Sequence, residues 1–220
     1  MNEMRMGKWM WLNLVLVCLL SCGNHATVKK DYWENGNLKS ELRYEDGKLN
    51  GLCKWYQMSG KPQMEVTYSD NKMEGLLRRW HENGNVMEES WYKAGVQDSV
   101  SRKYSLSGAL IEETHYVNGE LNGEVTRWYD NGQVFQEGQY ADGMMDGSWL
   151  VFYGDGKLAA KADFNKGTGV QTSYEHSGYK CLVTNYVDNE KHGRETYYNP
   201  DGTVTRIAVY DNGEWVRDEK

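Results

Sequence analysis

Helical periodicity is missing from this chain. No stretch carries apolar residues at three-and-four spacing over the length a helix needs, which excludes a helical core. Proline is nearly missing too; Pro62 and Pro200 are the only two, and both flank turn sequences. Histidine is scarce. None of His25, His81, His115, His176 and His192 stands at metal-ligand spacing from another histidine or a cysteine, and no HExxH occurs. No metal and no other cofactor is therefore expected. A glycine loop that cradles phosphate needs a helix behind it, and the chain offers none. Carboxylates are plentiful, but on an acidic surface they carry no acid/base signal by themselves. No catalytic residue is assigned, and the chain is expected not to be an enzyme. Basic residues number 25 against 32 acidic ones, a net charge of −7, which argues against a nucleic-acid partner.

What the chain has is a ruler of glycines: Gly36, Gly60, Gly84, Gly108, Gly132, Gly156, Gly178 and Gly202. Six of the intervals are 24 residues and one is 22. A period in this range marks a repeat array. Eight residues after each glycine stands an aromatic: Tyr44, Tyr68, Tyr92, Tyr116, Tyr140, Phe164, Tyr186 and Tyr210. Positions two, six and eight after the glycine share one parity and are predicted to share one strand face. Eleven residues after the glycine come pairs such as Asp46-Gly47, Asn118-Gly119 and Asp142-Gly143, which suit tight hairpins. A second strand then ends on an aromatic, read as Tyr32, Trp55, Trp80, Tyr104, Trp128, Phe152, Tyr174 and Tyr198. The prediction is all-β: an elongated array of about eight β-hairpins in one continuous twisted antiparallel sheet, with aromatics stacking between neighbours. Cys53 and Cys181 would then lie on the order of 50 Å apart, beyond the reach of a disulfide.

The first residues read differently. An apolar run of 12 residues from Trp9 to Leu20, broken only by Asn13, follows Arg5 and Lys8. It is too short for a bilayer-spanning helix and fits an export signal. Its end, Leu19-Leu20-Ser21-Cys22-Gly23, resembles a bacterial lipobox. The resemblance implies a signal peptide over 1–21 and lipidation of Cys22; the polar residues that follow are read as a linker through residue 30, and the repeats as an array over 31–220. It also implies an anchor in the bacterial envelope, with the outer membrane favoured.

The repeats carry a family likeness as well. Tyr-Trp-Glu-Asn-Gly (32–36), Trp-His-Glu-Asn-Gly (80–84), Trp-Tyr-Asp-Asn-Gly (128–132) and Leu-Asn-Gly-Glu-Val-Thr-Arg-Trp-Tyr (121–129) resemble MORN-repeat variants. Repeats three, six and seven depart from the pattern, by lacking the glycine at the second-strand entrance or by shortening the unit. Bacterial proteins of this kind include a YwqK-type group regarded as antitoxins. The resemblance implies a binding or neutralising role and transfers no catalytic residues.

Two surface features are candidates for recognition. Glu41, Glu65, Glu89, Glu113 and Glu137 each fall five residues after a ruler glycine, and Lys54, Arg79, Lys103 and Arg127 recur just before the second-strand aromatic. These are read either as cross-strand ion pairs or as an acidic stripe for a basic partner, with Glu89 and Glu113 the candidate contacts. The residues after the closing aromatics include Trp33, Tyr56, Tyr129 and Tyr153. They are predicted to line the other face and are candidate anchors for a protein or a glycan. A protein partner, a toxin or an envelope component, is favoured over a surface glycan or a passive scaffold role.

Overall fold

The computed structural model describes residues 25–219. Cys22 and the expected signal segment lie outside the described residues. The chain runs β1 (Ala26–Tyr32), β2 (Leu38–Glu45), β3 (Lys48–Leu49), β4 (Gly51–Tyr56), β5 (Pro62–Ser69), β6 (Lys72–Trp80), β7 (Val86–Lys93), β8 (Val96–Tyr104) and β9 (Leu110–Val117). It continues as β10 (Glu120–Trp128), β11 (Val134–Ala141), β12 (Met144–Phe152), β13 (Leu158–Asn165), β14 (Thr168–Tyr174), β15 (Lys180–Val187), β16 (Glu190–Tyr198), β17 (Val204–Asp211) and β18 (Glu214–Glu219). There is no helix among the described residues. β3 and β4 together act as one interrupted strand against β2. Every strand pairs antiparallel with its neighbour in sequence, from β1 to β18. The result is a single open meander. β1 takes up most of the stretch expected as linker.

Two kinds of turn alternate along the two edges. The Asp-Gly type closes tight hairpins, as at Asp46 and Gly47 with φ of 50° and 81°, the positive values that such turns need. The longer turns are closed by pairs such as Trp33 N–H to Asn37 O at 2.8 Å and Gly36 N–H to Trp33 O at 2.9 Å. The ruler glycines sit in these longer turns.

Bulges set which side chain faces where. After each long turn the register jumps by one: Arg127 pairs with Gln136 and Trp128 with Val134, leaving Phe135 unpaired. An extra residue reverses the alternation. This corrects one expectation. Val134, two residues after Gly132, shares a face with Trp128, not with Gly138 and Tyr140. A second bulge lies inside β6, β8, β10, β12 and β16, at a residue of positive φ: Gly75 (78°), Gly123 (111°), Gly147 (66°) and Gly193 (80°), with Ser99 (67°) in the same place. The shortened unit has no such bulge, and β13 pairs with β14 without a shift.

The core is a row running across the strands through the middle of the sheet. Cys53, Val66, Leu77, Ser90, Ser101, Thr114, Val125, Trp149, Ala162, Thr184, Glu195 and Ala208 are buried along it. Most are small, which lets the flanking aromatics close over them in a one-layer sheet. Trp149 is the large exception. Its indole lies over Gly138, where an added Cβ would stand 2.3 Å from the ring. Rings then touch in series: Tyr140 to Trp149 at 5.0 Å, Trp149 to Phe164 at 6.4 Å and Phe164 to Tyr186 at 5.6 Å. Phe164 reaches Tyr186 across the missing side chain of Gly169, which faces Phe164 in the pairing of β13 with β14. Among the described residues this is the one run of consecutive ring contacts, so the expected stack along the whole array is confined to its centre.

The second-strand aromatics occupy the opposite face, except Trp55, which shares the face of Cys53 and touches Tyr68. The Tyr104 hydroxyl donates to Glu89 at 3.1 Å, and Arg78 lies over the Trp80 ring at 6.0 Å. Neighbouring repeats are also joined at the tight-turn edge, where each turn donates to the preceding hairpin: Gly95 to Met73 O at 2.8 Å, Gly119 to Gln97 O at 2.8 Å and Gly143 to Leu121 O at 2.8 Å. Asn189 reaches further, accepting from Met145 N–H at 2.8 Å and donating to Gly143 O at 3.0 Å.

Candidate interaction surface

On the face away from the buried row, paired residues alternate in charge. The cross-strand line Lys54–Glu65–Arg78–Glu89–Arg102–Glu113 follows the register from β4 to β9. Arg78 meets Glu65 at 3.5 Å and Glu89 at 2.7 Å, Arg102 meets Glu113 at 2.6 Å, and Lys30 meets Glu41 at 3.1 Å. Glu89 and Glu113, offered above as contacts for a basic partner, are thus engaged by arginines of their own sheet. Cross-strand pairs of this kind contribute roughly 0.2–1 kcal/mol each and hold register.

Arg79, Lys103 and Arg127 do not belong to this line. They stand on the face of the buried row, where Arg79 meets Glu88 at 3.2 Å, while Lys103 and Arg127 both meet Glu112 at 2.7 Å. Lys54 was grouped with them in sequence, but it pairs with Glu65 as Arg78 pairs with Glu89. Burial pushes the Glu112 carboxyl up, and hydrogen bonds from Lys103 and Arg127 bring it below its ordinary value. Arg78 and Arg102 were not singled out from the sequence. The signal was present: each lies 11 residues before the glutamate it binds.

The aromatic candidates are tied into the turns. Trp33 Nε1–H donates to Tyr56 O at 3.1 Å, the Tyr129 hydroxyl to Phe152 O at 2.9 Å, and the Tyr153 hydroxyl to Tyr174 O at 2.7 Å. His81 Nε2 lies 2.9 Å from Tyr104 O in the equivalent place. Each side chain caps the end of the strand one repeat onward. Their rings are also occupied: Lys39 lies over Trp33 at 4.8 Å, Tyr129 abuts Phe135 at 5.2 Å and Tyr153 abuts His176 at 5.1 Å. Tyr56 is not one of this series. It pairs with Pro62 as Trp80 pairs with Val86, so it is the closing aromatic of its strand and Gln57 is the residue that follows. All four aromatic candidates are half-buried. Tyr32, Trp91, Phe135 and Trp215 are the exposed aromatics among the described residues, and Trp91, 43% exposed, pairs with Leu76 on the charged-line face.

One buried carboxylate interrupts the core row. Glu195 is 1% exposed. It accepts from the Tyr197 hydroxyl at 2.6 Å and from the Thr184 hydroxyl at 3.1 Å, and it pairs with Lys191. Burial alone would raise its carboxyl, but the hydrogen bonds and the Lys191 ammonium hold it below the usual range. Among the described residues no group of three His, Cys, Asp or Glu could hold a metal ion.

Six segments of the chain match the model of one repeat family, the MORN repeat variant: residues 28–48, 49–70, 73–94, 121–142, 145–166 and 191–212. The chain belongs to the MORN repeat variant family. The MORN matches pass over residues 95–120 and 167–190. There Ser99 replaces the bulge glycine and the shortened unit drops its bulge, so the departures from the pattern have a structural counterpart. No curated protein matches the chain. Among solved structures, one of the GtfA/B complex bound to UDP and GlcNAc aligns at 16% identity and a TM-score of 0.23, over 50% of this chain and 22% of that one. One of TcdB2–TccC3–Cdc42 aligns at 10% identity and a TM-score of 0.20, over 83% of this chain and 14% of that one. The MORN array thus spans under a quarter of either chain, and neither likeness bears on function. MORN repeats of this kind indicate a binding or scaffold role.

Proposed function

We propose that the array is a non-catalytic protein-binding module, held at the bacterial envelope through lipid on Cys22, that engages a toxin or an envelope component. One observation carries the reading. Among the described residues nothing covers the charged-line face, which bears Trp80, Trp91, Tyr104, Arg78 and Arg102, residue types that dominate protein interfaces. The same face presents arginines already aligned by their glutamates, so little side-chain freedom is lost on binding. The turn aromatics Trp33, Tyr129 and Tyr153 support repeat-to-repeat contact, and no glycan reading is built on them.

The test is a photo-crosslinker placed at Trp91 in the full chain in intact cells, with a second at Tyr210 on the other face. A discrete protein adduct from Trp91 alone, lost in Arg78→Ala, is expected. Adducts from both positions, or from neither, would refute the reading. Cys22→Ser is expected to move the protein out of the membrane fraction; retention there would remove the lipid anchor from the proposal.

A further inference from the structure

The line of alternating charge stops within one strand. Lys54, Arg78, Arg102, Thr126 and Leu150 recur every 24 residues, so Thr126 stands where the preceding repeats place a cation. Glu137 stands where Glu65, Glu89 and Glu113 stand, paired with Thr126 on one side and Leu150 on the other. Its predecessors are gripped by arginine. Glu137 is exposed and makes no ion pair or side-chain hydrogen bond among the described residues. Glu124, one position along β10 from Val125, is exposed and makes no side-chain bond either. At this gap the surface sinks into a depression of about 370 Å³, floored by Val125 and Gly138 and edged by Glu124, Thr126, Glu137 and Leu150. Along the pairing among the described residues, the next cation on this face is Lys161, beyond Leu150, and it forms no ion pair with Glu137.

We infer that this depression receives an arginine side chain from a protein partner, whose guanidinium takes the place left by the missing residue-126 cation. The fold shows how such a group is held: Arg78 lies between two glutamates and contacts both. At Thr126 the corresponding carboxylates are Glu113, already bound by Arg102, and Glu137, which is unmatched. An incoming guanidinium meets Glu137, with Glu124 beside it and the Leu150 side chain against its aliphatic stem. A planar fork of donors suits paired carboxylates better than an ammonium does. A lysine is therefore accepted less well.

This inference rests on the protein-binding reading above and narrows its partner to one presenting an arginine, but its test needs no partner. Acetyl-arginine-methylamide is titrated into the full chain in detergent and amide shifts are followed by NMR, with the citrulline counterpart as the uncharged control. Saturable shifts confined to residues 124–126, 137–139 and 148–150 are expected. Binding should weaken at least about tenfold in Glu137→Gln. It should also vanish in Thr126→Arg, where the chain supplies its own guanidinium. Shifts spread over the acidic surface without saturation, an equal response to citrulline, or unchanged binding in Glu137→Gln would each overturn it. A failed titration leaves the crosslinking result at Trp91 untouched, so the two ideas fall separately.

Discussion

Gly138 carries more of the fold than its size suggests. The central row admits one indole because the facing position has no side chain; a Cβ there would come within 2.3 Å of the Trp149 ring. Gly138→Ala is expected to cost about 1–3 kcal/mol in chemical denaturation through overpacking, with part of the loss recovered when Trp149→Leu is added. Ser99 is the opposite case. It holds φ of 67° where other repeats use glycine, and an L-residue pays for that conformation. Ser99→Gly is expected to raise stability by roughly 0.5 kcal/mol, the left-handed strain relieved less the entropy of a strand glycine. The reverse change, Gly75→Ser, should lower it. Glu195 ties stability to pH. Its folded carboxyl is held below the ordinary range, so its contribution is complete above the unfolded pKa of about 4.3. That contribution drains away as pH falls through the lower folded value. Acid unfolding of Glu195→Gln, followed by circular dichroism, should therefore be less steep below pH of about 4 than that of the parent. An unchanged slope would mean other carboxylates, such as Glu112, govern the acid limit.

Between elements, the side chains that matter most join repeats at their turns. Asn189 bonds back to Gly143 and Met145, skipping a whole hairpin, because the shortened unit brings its turn within reach. Asn189→Gly keeps the φ of 68° and removes only the amide, so a loss of about 1–2 kcal/mol is expected. Asn212→Gly, at a turn whose side chain makes no such bond, should be neutral in the same thermal melt. These elements also show how far the sequence could be read. The hairpin repeat, turn type and the ruler glycines were legible because each is a local demand of backbone geometry on residue type, whereas eight hairpins imply sixteen strands and the sheet has eighteen. The facing of Val134 and the second-strand aromatics was not. It depends on single-residue bulges, and parity counting assumes none. Tyr56 was misplaced because Trp55 beside it is also aromatic, so composition could not choose between two registers that the pairing to Pro62 decides. The glutamates were seen, but their arginines were sought one residue away, beside the aromatic. The hydrogen bonds that Trp33, Tyr129 and Tyr153 donate to carbonyls of the next repeat span 21–23 residues, a distance no local pattern encodes.

At the scale of the molecule, an array whose units, the Asn189 link apart, touch mainly their neighbours has no single stability; each hairpin is as firm as its own contacts and those beside it. The contacts are uneven. Among the described residues, Val125, Trp149, Ala162 and Phe164 form a buried apolar cluster, with Tyr140, Met145 and Tyr186 packed against it. β1 is exposed along its whole length and β18 nearly so. Native-state hydrogen exchange should therefore slow from both edges toward β12–β15, with amides in β2 and β17 exchanging before those of β12 and β13. Trp149→Ala sharpens the test, since it removes the ring on which Tyr140 and Phe164 both rest. Protection in β11–β15 should then fall by a factor of about 100 or more, from a loss on the order of 3–5 kcal/mol. β5–β7 should exchange as before, because their burial comes from Val66, Leu77 and Ser90 and from ion pairs that the change does not reach. If instead every strand lost protection together, the sheet would be one cooperative body, and a surface built on local registers of charge could not be adjusted one repeat at a time.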